Sequence, residues 1–120
     1  MADENWQLVE EATGRVVVSK LEVARSFWQR SVGLLGRTGL DAGTALWLEP
    51  CSGIHTFAMR FSMDALFLDS GGKAVKCLSN VPPWRMVGPV RGARVVVELP
   101  AGELVKQNIQ VGTRYSKRPI

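Results

Sequence analysis

The sequence predicts a single α+β domain that is mostly β, with about seven short strands and one main helix. A length of 120 residues suits one domain and is too short for two ordinary ones. Short runs of β-branched and aliphatic residues recur along the chain, separated by glycine, proline and aspartate, as is typical of strands joined by turns. A helical spacing of apolar side chains, by contrast, marks one long segment, residues 22–37.

The N-terminal third predicts a β-hairpin followed by the main helix. Two apolar runs, WQLVE and RVVVS, flank the small-residue turn at residues 12–14. In residues 22–37, Val23, Phe27 and Leu34 lie at helical spacing among polar residues, and Gly39 lies beyond the expected helix end.

The central third predicts three strands. Residues 45–49 form a short apolar run that ends at Pro50. From residue 57 to residue 67 every odd position is apolar, which is the period of a half-buried strand. The sequence DSGG at 69–72 then predicts a hairpin turn into a returning strand over residues 73–78.

The C-terminal third predicts two further strands and a short helical turn. PPW at 82–84 favours an extended connection, and RVVVEL within residues 93–99 is a strand candidate. A helical turn is expected at about 101–107 and a last strand at 109–115. Residues 116–120, SKRPI, are expected to form a flexible basic tail outside the domain at 1–115.

Composition indicates a globular protein of the cytoplasm. Hydrophobic residues make up 46% and charged residues 22%, close to globular averages. Two cysteines are too few for a disulfide scaffold and are expected to stay reduced. The N-terminus has neither a signal-peptide pattern nor an apolar run long enough to cross a bilayer. We therefore expect a bacterial-type cytoplasmic protein that is a monomer.

The net charge of +4 is concentrated in the last third of the chain. An excess of this kind can attract nucleic acid. The sequence nevertheless has no dense block of lysine and arginine, and no aromatic residues regularly interleaved with basic ones. Nucleic acid is therefore not expected as a partner.

Three motifs in order resemble the DUF192 family. They are GLLGR at 33–37, HTFAMRFSMDALFLD at 55–69, and VVELPAG at 96–102 followed by VGTRY. The resemblance spans about residues 21–115 and implies a small α+β domain with a curled, barrel-like sheet and an uncharacterised function. Many members of that family carry an export signal or lipoprotein start, a pattern not found here. The resemblance implies no catalytic residues.

Two segments, residues 55–64 and 82–91, carry the side chains of a candidate binding pocket. Phe57, Met59 and Phe61 would form its apolar floor, with polar side chains at the rim and a tryptophan after two prolines as a lid. Arginines on the second segment would attract an anionic ligand. The candidate residues are His55, Thr56, Met59, Arg60, Asp64, Trp84, Arg85 and Arg91. The leading hypothesis is a non-enzymatic module, without a cofactor, that binds a small ligand or a peptide of a protein partner.

The alternative hypothesis is a thiol- or soft-metal-dependent activity. Cys51, His55, Met59 and Met63 recur at intervals of four and offer the soft donors that suit Cu(I). Cys51 could instead serve as a nucleophile activated by His55. On a straight strand, residues four apart are separated by roughly 13 Å, so the metal site requires a helix or a bend.

Overall fold

Nine strands and one short helix make up the regular structure of the computed structural model, which describes residues 3–24 and 39–120. The strands are β1 (Asp3–Glu10), β2 (Val16–Ala24), β3 (Thr44–Leu48), β4 (Ile54–His55), β5 (Met63–Leu68), β6 (Ala74–Val81), β7 (Met86–Val87), β8 (Val95–Pro100) and β9 (Tyr115–Pro119). The helix is α1 (Glu103–Lys106). The described residues are therefore mostly β, as predicted.

Seven of the strands form one mixed sheet in the order β6-β5-β8-β3-β2-β1-β9. All neighbours are antiparallel except β2 and β3, which pair in parallel from Lys20 opposite Thr44 to Ala24 opposite Leu48. The strands β4 and β7 form a separate antiparallel pair.

The large sheet curves without closing into a barrel. Its two edge strands, β6 and β9, approach each other only where they begin. There the Tyr115 N–H donates to the Gly72 carbonyl at 2.8 Å and the Ala74 N–H donates to the Thr113 carbonyl at 2.9 Å. A single isolated bridge joins Lys73 to Arg114, with no ladder beyond it in the described residues. The expected barrel-like sheet is thus corrected to an open, curved one.

Each face of the sheet carries its own hydrophobic cluster. The strand β5 is buried at all six positions, and five of its residues are apolar, the exception being Asp64. Its Leu66 and Leu68 belong to the first cluster, with Tyr115 of β9. Its Met63 and Phe67 belong to the second, against which the segments around β4 and β7 pack. The candidate site therefore lies over the second cluster.

The expected main helix at 22–37 is wrong at its start. Residues 22–24 belong to β2, where they pair with Leu46, Trp47 and Leu48 of β3. Hydrogen bonding to a neighbouring strand and burial on both sides override the helical spacing there. Positions 25–37 lie outside the described residues. In the described part of the chain α1 is the only helix, at the place where a short turn was expected, and no helix there is long and apolar enough to cross a bilayer.

The expected strand at 57–67 begins six residues later than predicted. Residues 57 and 58 form a turn in which Ala58 has a φ of 62°, and the strand starts at Met63. A left-handed residue cannot continue a strand, so the apolar alternation before Met63 has another origin. Phe57 faces solvent, whereas Met59 is buried in the second cluster.

Residues 116–119, expected in a flexible basic tail, belong to β9. Five residue pairs join this strand to β1, from Trp6 opposite Pro119 to Glu10 opposite Tyr115. The Ile120 N–H continues the pairing with a 3.1 Å bond to the Asn5 carbonyl. The Lys117 ammonium lies 4.4 Å from the centre of the Trp6 ring, a cation–π contact that adds to the pairing of β9 with β1.

Candidate functional site

Thr56 joins the two segments that the sequence predicted to form a site. Its side chain is completely buried, and its hydroxyl donates to the Pro82 carbonyl at 2.7 Å and accepts from the Arg85 N–H at 2.8 Å. Its backbone N–H donates to the Arg85 carbonyl at 2.8 Å, and its carbonyl accepts from the Trp84 N–H at 2.9 Å. One residue thus satisfies four polar groups of the proline-rich loop and holds the loop against β4.

The short strands β4 and β7 continue this connection. Ile54 pairs with Val87, and His55 pairs with Met86. In an antiparallel pair, side chains directly opposite each other lie on the same face about 4.5–5.5 Å apart. His55 and Met86 therefore emerge side by side on one face of the pair.

Two glycines allow the backbones beside β4 and β7 to approach closely. A Cβ atom on Gly53 would lie 2.8 Å from the Val87 carbonyl oxygen. A Cβ atom on Gly88, which has a φ of 95°, would lie 2.8 Å from the Gly53 Cα and from the Ser52 carbonyl oxygen. These contacts are shorter than any side chain tolerates, so glycine is required at both positions.

Four side chains form what we call the aromatic surface: His55, Phe57, Trp84 and Met86. The His55 and Phe57 ring centroids are 5.3 Å apart, and those of Phe57 and Trp84 are 6.1 Å apart with planes inclined by 26°. Phe57 is 39% exposed, Trp84 65% and Met86 71%. Trp84 adopts a φ of 66°, a left-handed conformation that its hydrogen bond to Thr56 helps to hold. The surface is therefore mostly apolar and exposed, and the hydrogen bonds of buried Thr56 hold the loop that carries Trp84 in place.

A shallow depression of about 260 Å³ adjoins the aromatic surface and shares two of its residues. Most of its lining is aliphatic or glycine. The lining residues are Gly53, Ile54, His55, Met86, Val87, Gly88 and Pro89. The depression suits an apolar group of limited size.

The chain on either side of the aromatic surface carries only positive charge up to the residue before Asp64. Residues 50–63 and 82–94 contain four arginines, no lysine, and neither aspartate nor glutamate. Arg60, Arg85, Arg91 and Arg94 are all exposed. Arg85 lies between Trp84 and Met86 in sequence and therefore begins at the aromatic surface.

Asp64, a predicted rim residue, is instead a buried structural group. Its carboxylate accepts three backbone N–H bonds: from Asn80 at 2.8 Å, from Gly102 at 3.1 Å and from Leu104 at 2.9 Å. These bonds join β5 to the end of β6 and to the start of α1. Both oxygens are occupied within the protein, so Asp64 lies apart from the aromatic surface.

Three of the four residues of the alternative hypothesis belong to or pack against the second cluster, and the fourth, His55, is exposed. Met59 and Met63 are buried in the second cluster, and Cys51 packs against it. The Cys51 thiol donates to the Gly53 carbonyl at 3.0 Å. In the ranges that the structure describes, no three His, Cys, Asp or Glu residues gather as metal ligands.

The two cysteines are separate thiols on opposite faces of the sheet. Cys51 packs against the second hydrophobic cluster and Cys77 against the first. Burial raises the pKa of the Cys77 thiol above its ordinary value, and the nearby Asp64 carboxylate raises it further. A raised pKa lowers the thiolate fraction, which makes Cys77 a poor nucleophile near neutral pH.

The aromatic surface combines predicted and unpredicted residues. Trp84 was expected near a site because it follows two prolines, and His55 because it is the only histidine. Met86 and the requirement for Gly53 and Gly88 were not foreseen. The absence of lysine and acids from residues 50–63 and 82–94 was the available signal, since it separates these segments from the rest of the chain.

Comparison with known proteins gives one consistent family and fold. The model of the DUF192 family, described as an uncharacterized ACR, matches residues 8–116. A UPF0127 protein of Thermococcus sibiricus is 29% identical over 109 residues, covering 88% of this chain and 70% of that protein. A UPF0127 protein of Pyrococcus abyssi is 34% identical over 101 residues, covering 79% of this chain and 83% of that protein. These relatives are archaeal, so the expected bacterial origin gains no support from them.

Two solved structures share the fold. A protein of unknown function from Novosphingobium aromaticivorans superposes with a TM-score of 0.78 at 16% identity, covering 92% of this chain and 82% of that chain. A candidate transcription regulator from Sinorhizobium meliloti superposes with a TM-score of 0.80 at 22% identity, covering 95% of this chain and 92% of that chain. Identities this low show the fold alone.

Proposed function

The chain belongs to the uncharacterised DUF192 family, and from that premise we propose that it is a non-enzymatic module that binds a peptide segment of a partner protein. The aromatic surface is the site of contact. The observation that carries the proposal is the adjacent exposure of Phe57, Trp84 and Met86 on a backbone that buried Thr56 holds in place.

An exposed apolar surface of this kind favours association. Contiguous apolar patches on monomeric proteins commonly mark interaction sites, whereas single exposed apolar residues need no explanation. Here Trp84 is presented in a strained left-handed conformation, and strain of this kind is typically retained at binding sites. The hydrogen bonds to Thr56 fix the loop before any partner arrives, which reduces the entropy lost on binding.

The dimensions and composition favour a peptide over a small molecule. Drug-sized ligands occupy pockets of roughly 300–1,000 Å³ that enclose most of their surface. The depression beside β4 and β7 measures about 260 Å³ and is shallow, so it suits one inserted side chain. Protein interfaces are enriched in aromatic residues, methionine and arginine and depleted of lysine and acids, which is the composition of residues 50–63 and 82–94.

The proposal is tested by selecting peptides from a displayed random library on the wild-type protein and measuring their affinities for variants. Trp84→Ala and Met86→Ala should each weaken binding by about 1–2 kcal/mol, which is roughly 5- to 30-fold. Val105→Ala and Val111→Ala provide the control because these valines are also well exposed, at 77% and 59%, but lie at α1 and in the loop after it. Peptides that lose affinity equally in both sets, or a library that yields no binder, would contradict the proposal.

The cytoplasmic location and the monomeric state stay predictions. A module that recognises a short segment needs no second copy of itself, so analytical ultracentrifugation of the free protein is expected to give the mass of one chain, 13.2 kDa.

A further inference from the structure

We propose that the recognised segment is acidic: it places an apolar side chain in the depression beside the aromatic surface and its carboxylates on the surrounding arginines. This inference rests on the proposed function and adds the chemical class of the partner. It follows from the distribution of charge over the molecule, not from the aromatic surface itself.

Residues 50–63 and 82–94 differ in charge from the sequence around them. Between residues 50 and 94 the only acids are Asp64 and Asp69, and neither lies within residues 50–63 or 82–94. Asp64 is buried and Asp69 lies in the turn after β5, where its carboxylate accepts from the Gly71 and Lys73 N–H groups. Within these residues an approaching anionic segment therefore meets arginine alone, and the acid that shares a depression with one of them is Glu49, beside Arg94.

The opposite arrangement occurs at the larger depression, of about 330 Å³, which adjoins β9 and the turn after β5. Glu11, Glu49 and Asp69 line it together with Lys117. Three acids and one lysine are its charged groups, and Glu49 also accepts a 3.0 Å bond from the Trp47 indole N–H. That depression is therefore mainly acidic, so it is not a competing acceptor for an acidic segment.

The use of arginine alone favours a planar anion. A guanidinium presents paired N–H donors that fit a carboxylate with two parallel hydrogen bonds, whereas an ammonium acts as a point charge. We assign Arg85 to such a pair, because it lies between Trp84 and Met86 in sequence and its own side chain is exposed. The Arg85 Nη1 lies 3.5 Å from the Trp84 carbonyl oxygen, a long contact that a carboxylate can replace.

The aliphatic depression distinguishes a peptide from other anions. Single-stranded nucleic acid would use the stacked rings and the arginines, but its bases stack and do not fill an aliphatic cavity. Ile54, Val87 and Pro89 line the cavity and provide the contacts that an aliphatic or aromatic peptide side chain makes. Oligonucleotides and anionic lipid vesicles are therefore the competing probes in the experiment.

The experiment measures fluorescence anisotropy of labelled synthetic peptides that share one central leucine or tryptophan. The flanking positions are all glutamate, all glutamine or all lysine. The glutamate peptide is expected to bind about tenfold tighter than the glutamine peptide at roughly 0.05 M salt, and to lose most of that advantage at roughly 0.5 M salt. An oligothymidylate and vesicles containing phosphatidylserine are titrated in parallel.

Variants connect the charge effect to the site. Arg85→Gln should reduce the affinity for the glutamate peptide about three- to tenfold and leave the glutamine peptide unchanged, with Arg85→Lys between them. Arg118→Gln is the matched control, because this exposed arginine lies on β9 and contacts Gln7. Circular dichroism melting of each variant shows that the fold is retained.

Each outcome separates the two proposals. Equal affinity for the glutamate and glutamine peptides would overturn the acidic partner while leaving the peptide-binding function standing. Binding of the oligonucleotide or vesicles but of none of the peptides would overturn both in favour of a phosphate-bearing partner. Failure of all probes would overturn both outright.

Discussion

At the scale of single residues, buried polar side chains join backbone segments that are distant in sequence, and Thr56 does so beneath the site. Thr56 has no exposed area, yet its hydroxyl bonds both to the Pro82 carbonyl and to the Arg85 N–H. Asp64 plays a similar part at the other end of its segment, where three backbone N–H groups converge on one carboxylate. Both residues were predicted to line a pocket. The structure places both inside the protein.

Substitution of Thr56 tests this positioning role. Thr56→Val keeps the shape but removes the hydroxyl, leaving two backbone groups of the loop without their partner. The free energy of unfolding should fall by about 1–3 kcal/mol, measured by urea denaturation. Thr56→Ser keeps the hydroxyl, so its free energy of unfolding should fall distinctly less than that of Thr56→Val. If valine and serine lowered the stability equally, the hydrogen bonds would not be the cause.

The thiol of Cys77 gives a second prediction at this scale, about reactivity. Burial and the Asp64 carboxylate raise its pKa above the ordinary value of 9.0. In the Cys51→Ser variant, iodoacetamide should therefore alkylate Cys77 at about pH 8 at least roughly tenfold more slowly than in the same chain unfolded by urea. The rate for the folded protein should keep rising as the pH passes 9.0, since the raised pKa shifts thiolate formation to higher pH. Mass spectrometry follows the reaction, and equal folded and unfolded rates near pH 8 would refute the prediction.

At the scale of elements, the site depends on the close approach of two very short strands. The strands β4 and β7 pair over only two residues each, too few to hold together alone. Backbone contact through Gly53 and Gly88, and the Val90 N–H bond to the Ser52 carbonyl at 2.7 Å, extend the pairing. The aromatic surface therefore depends on backbone packing as much as on its own side chains.

Two glycines in similar conformations allow this packing to be tested. Gly88 and Gly92 have φ values of 95° and 85°, but a Cβ would be crowded only at Gly88. Gly92→Ala should lower the free energy of unfolding by about 1–2 kcal/mol because of the left-handed backbone alone. Gly88→Ala should lower the free energy of unfolding by about 1–3 kcal/mol more than Gly92→Ala. It should also weaken peptide binding, because the added Cβ forces β4 and β7 apart. Thermal or urea denaturation gives the comparison. Equal losses would show that the close approach is unimportant.

Sequence patterns predicted the elements that depend on local composition and turn residues. They failed where pairing with a strand distant in sequence determines the secondary structure. The valine-rich strand β8 and the turn before β6 follow from composition and turn residues. Residues 22–24 have helical spacing but extend β2, because β3 lies beside them. Residues 116–119 look like a polar tail but complete the sheet beside β1. Neither pairing can be read from the neighbouring residues.

The same limit applies to the candidate site. The sequence placed Trp84 and Arg85 on one loop and His55 on the facing segment, and the structure brings these segments together. Asp64 was misplaced because its partners lie 38 and 40 residues away, at Gly102 and Leu104. Phe57 was expected in the floor of the pocket because it alternates with Met59 along the sequence. The turn at Ala58 instead directs the Phe57 ring toward solvent.

At the scale of the whole molecule, the two faces of the sheet have different roles, one in stability and the other in recognition. One face carries the first hydrophobic cluster, which includes Tyr115 and Leu104 of α1 and is the larger of the two clusters among the described residues. The other face carries the second cluster, on which the segments around β4 and β7 rest. Stability thus depends mainly on one face, and the loops on the other face are available for recognition. The segments that rest on this second cluster, within residues 50–63 and 82–94, carry arginine without acids or lysine.

The most direct test of this account is a two-dimensional amide NMR titration of the protein with the glutamate-flanked peptide. We expect chemical shift changes concentrated at residues 53–57 and 84–89, including the Trp84 indole signal, which Trp84→Phe assigns. Residues of α1 and of the larger depression, such as Glu11 and Lys117, should remain unshifted. Shifts centred on that larger depression, with the Trp84 indole unmoved, would contradict the assignment of the aromatic surface as the binding site.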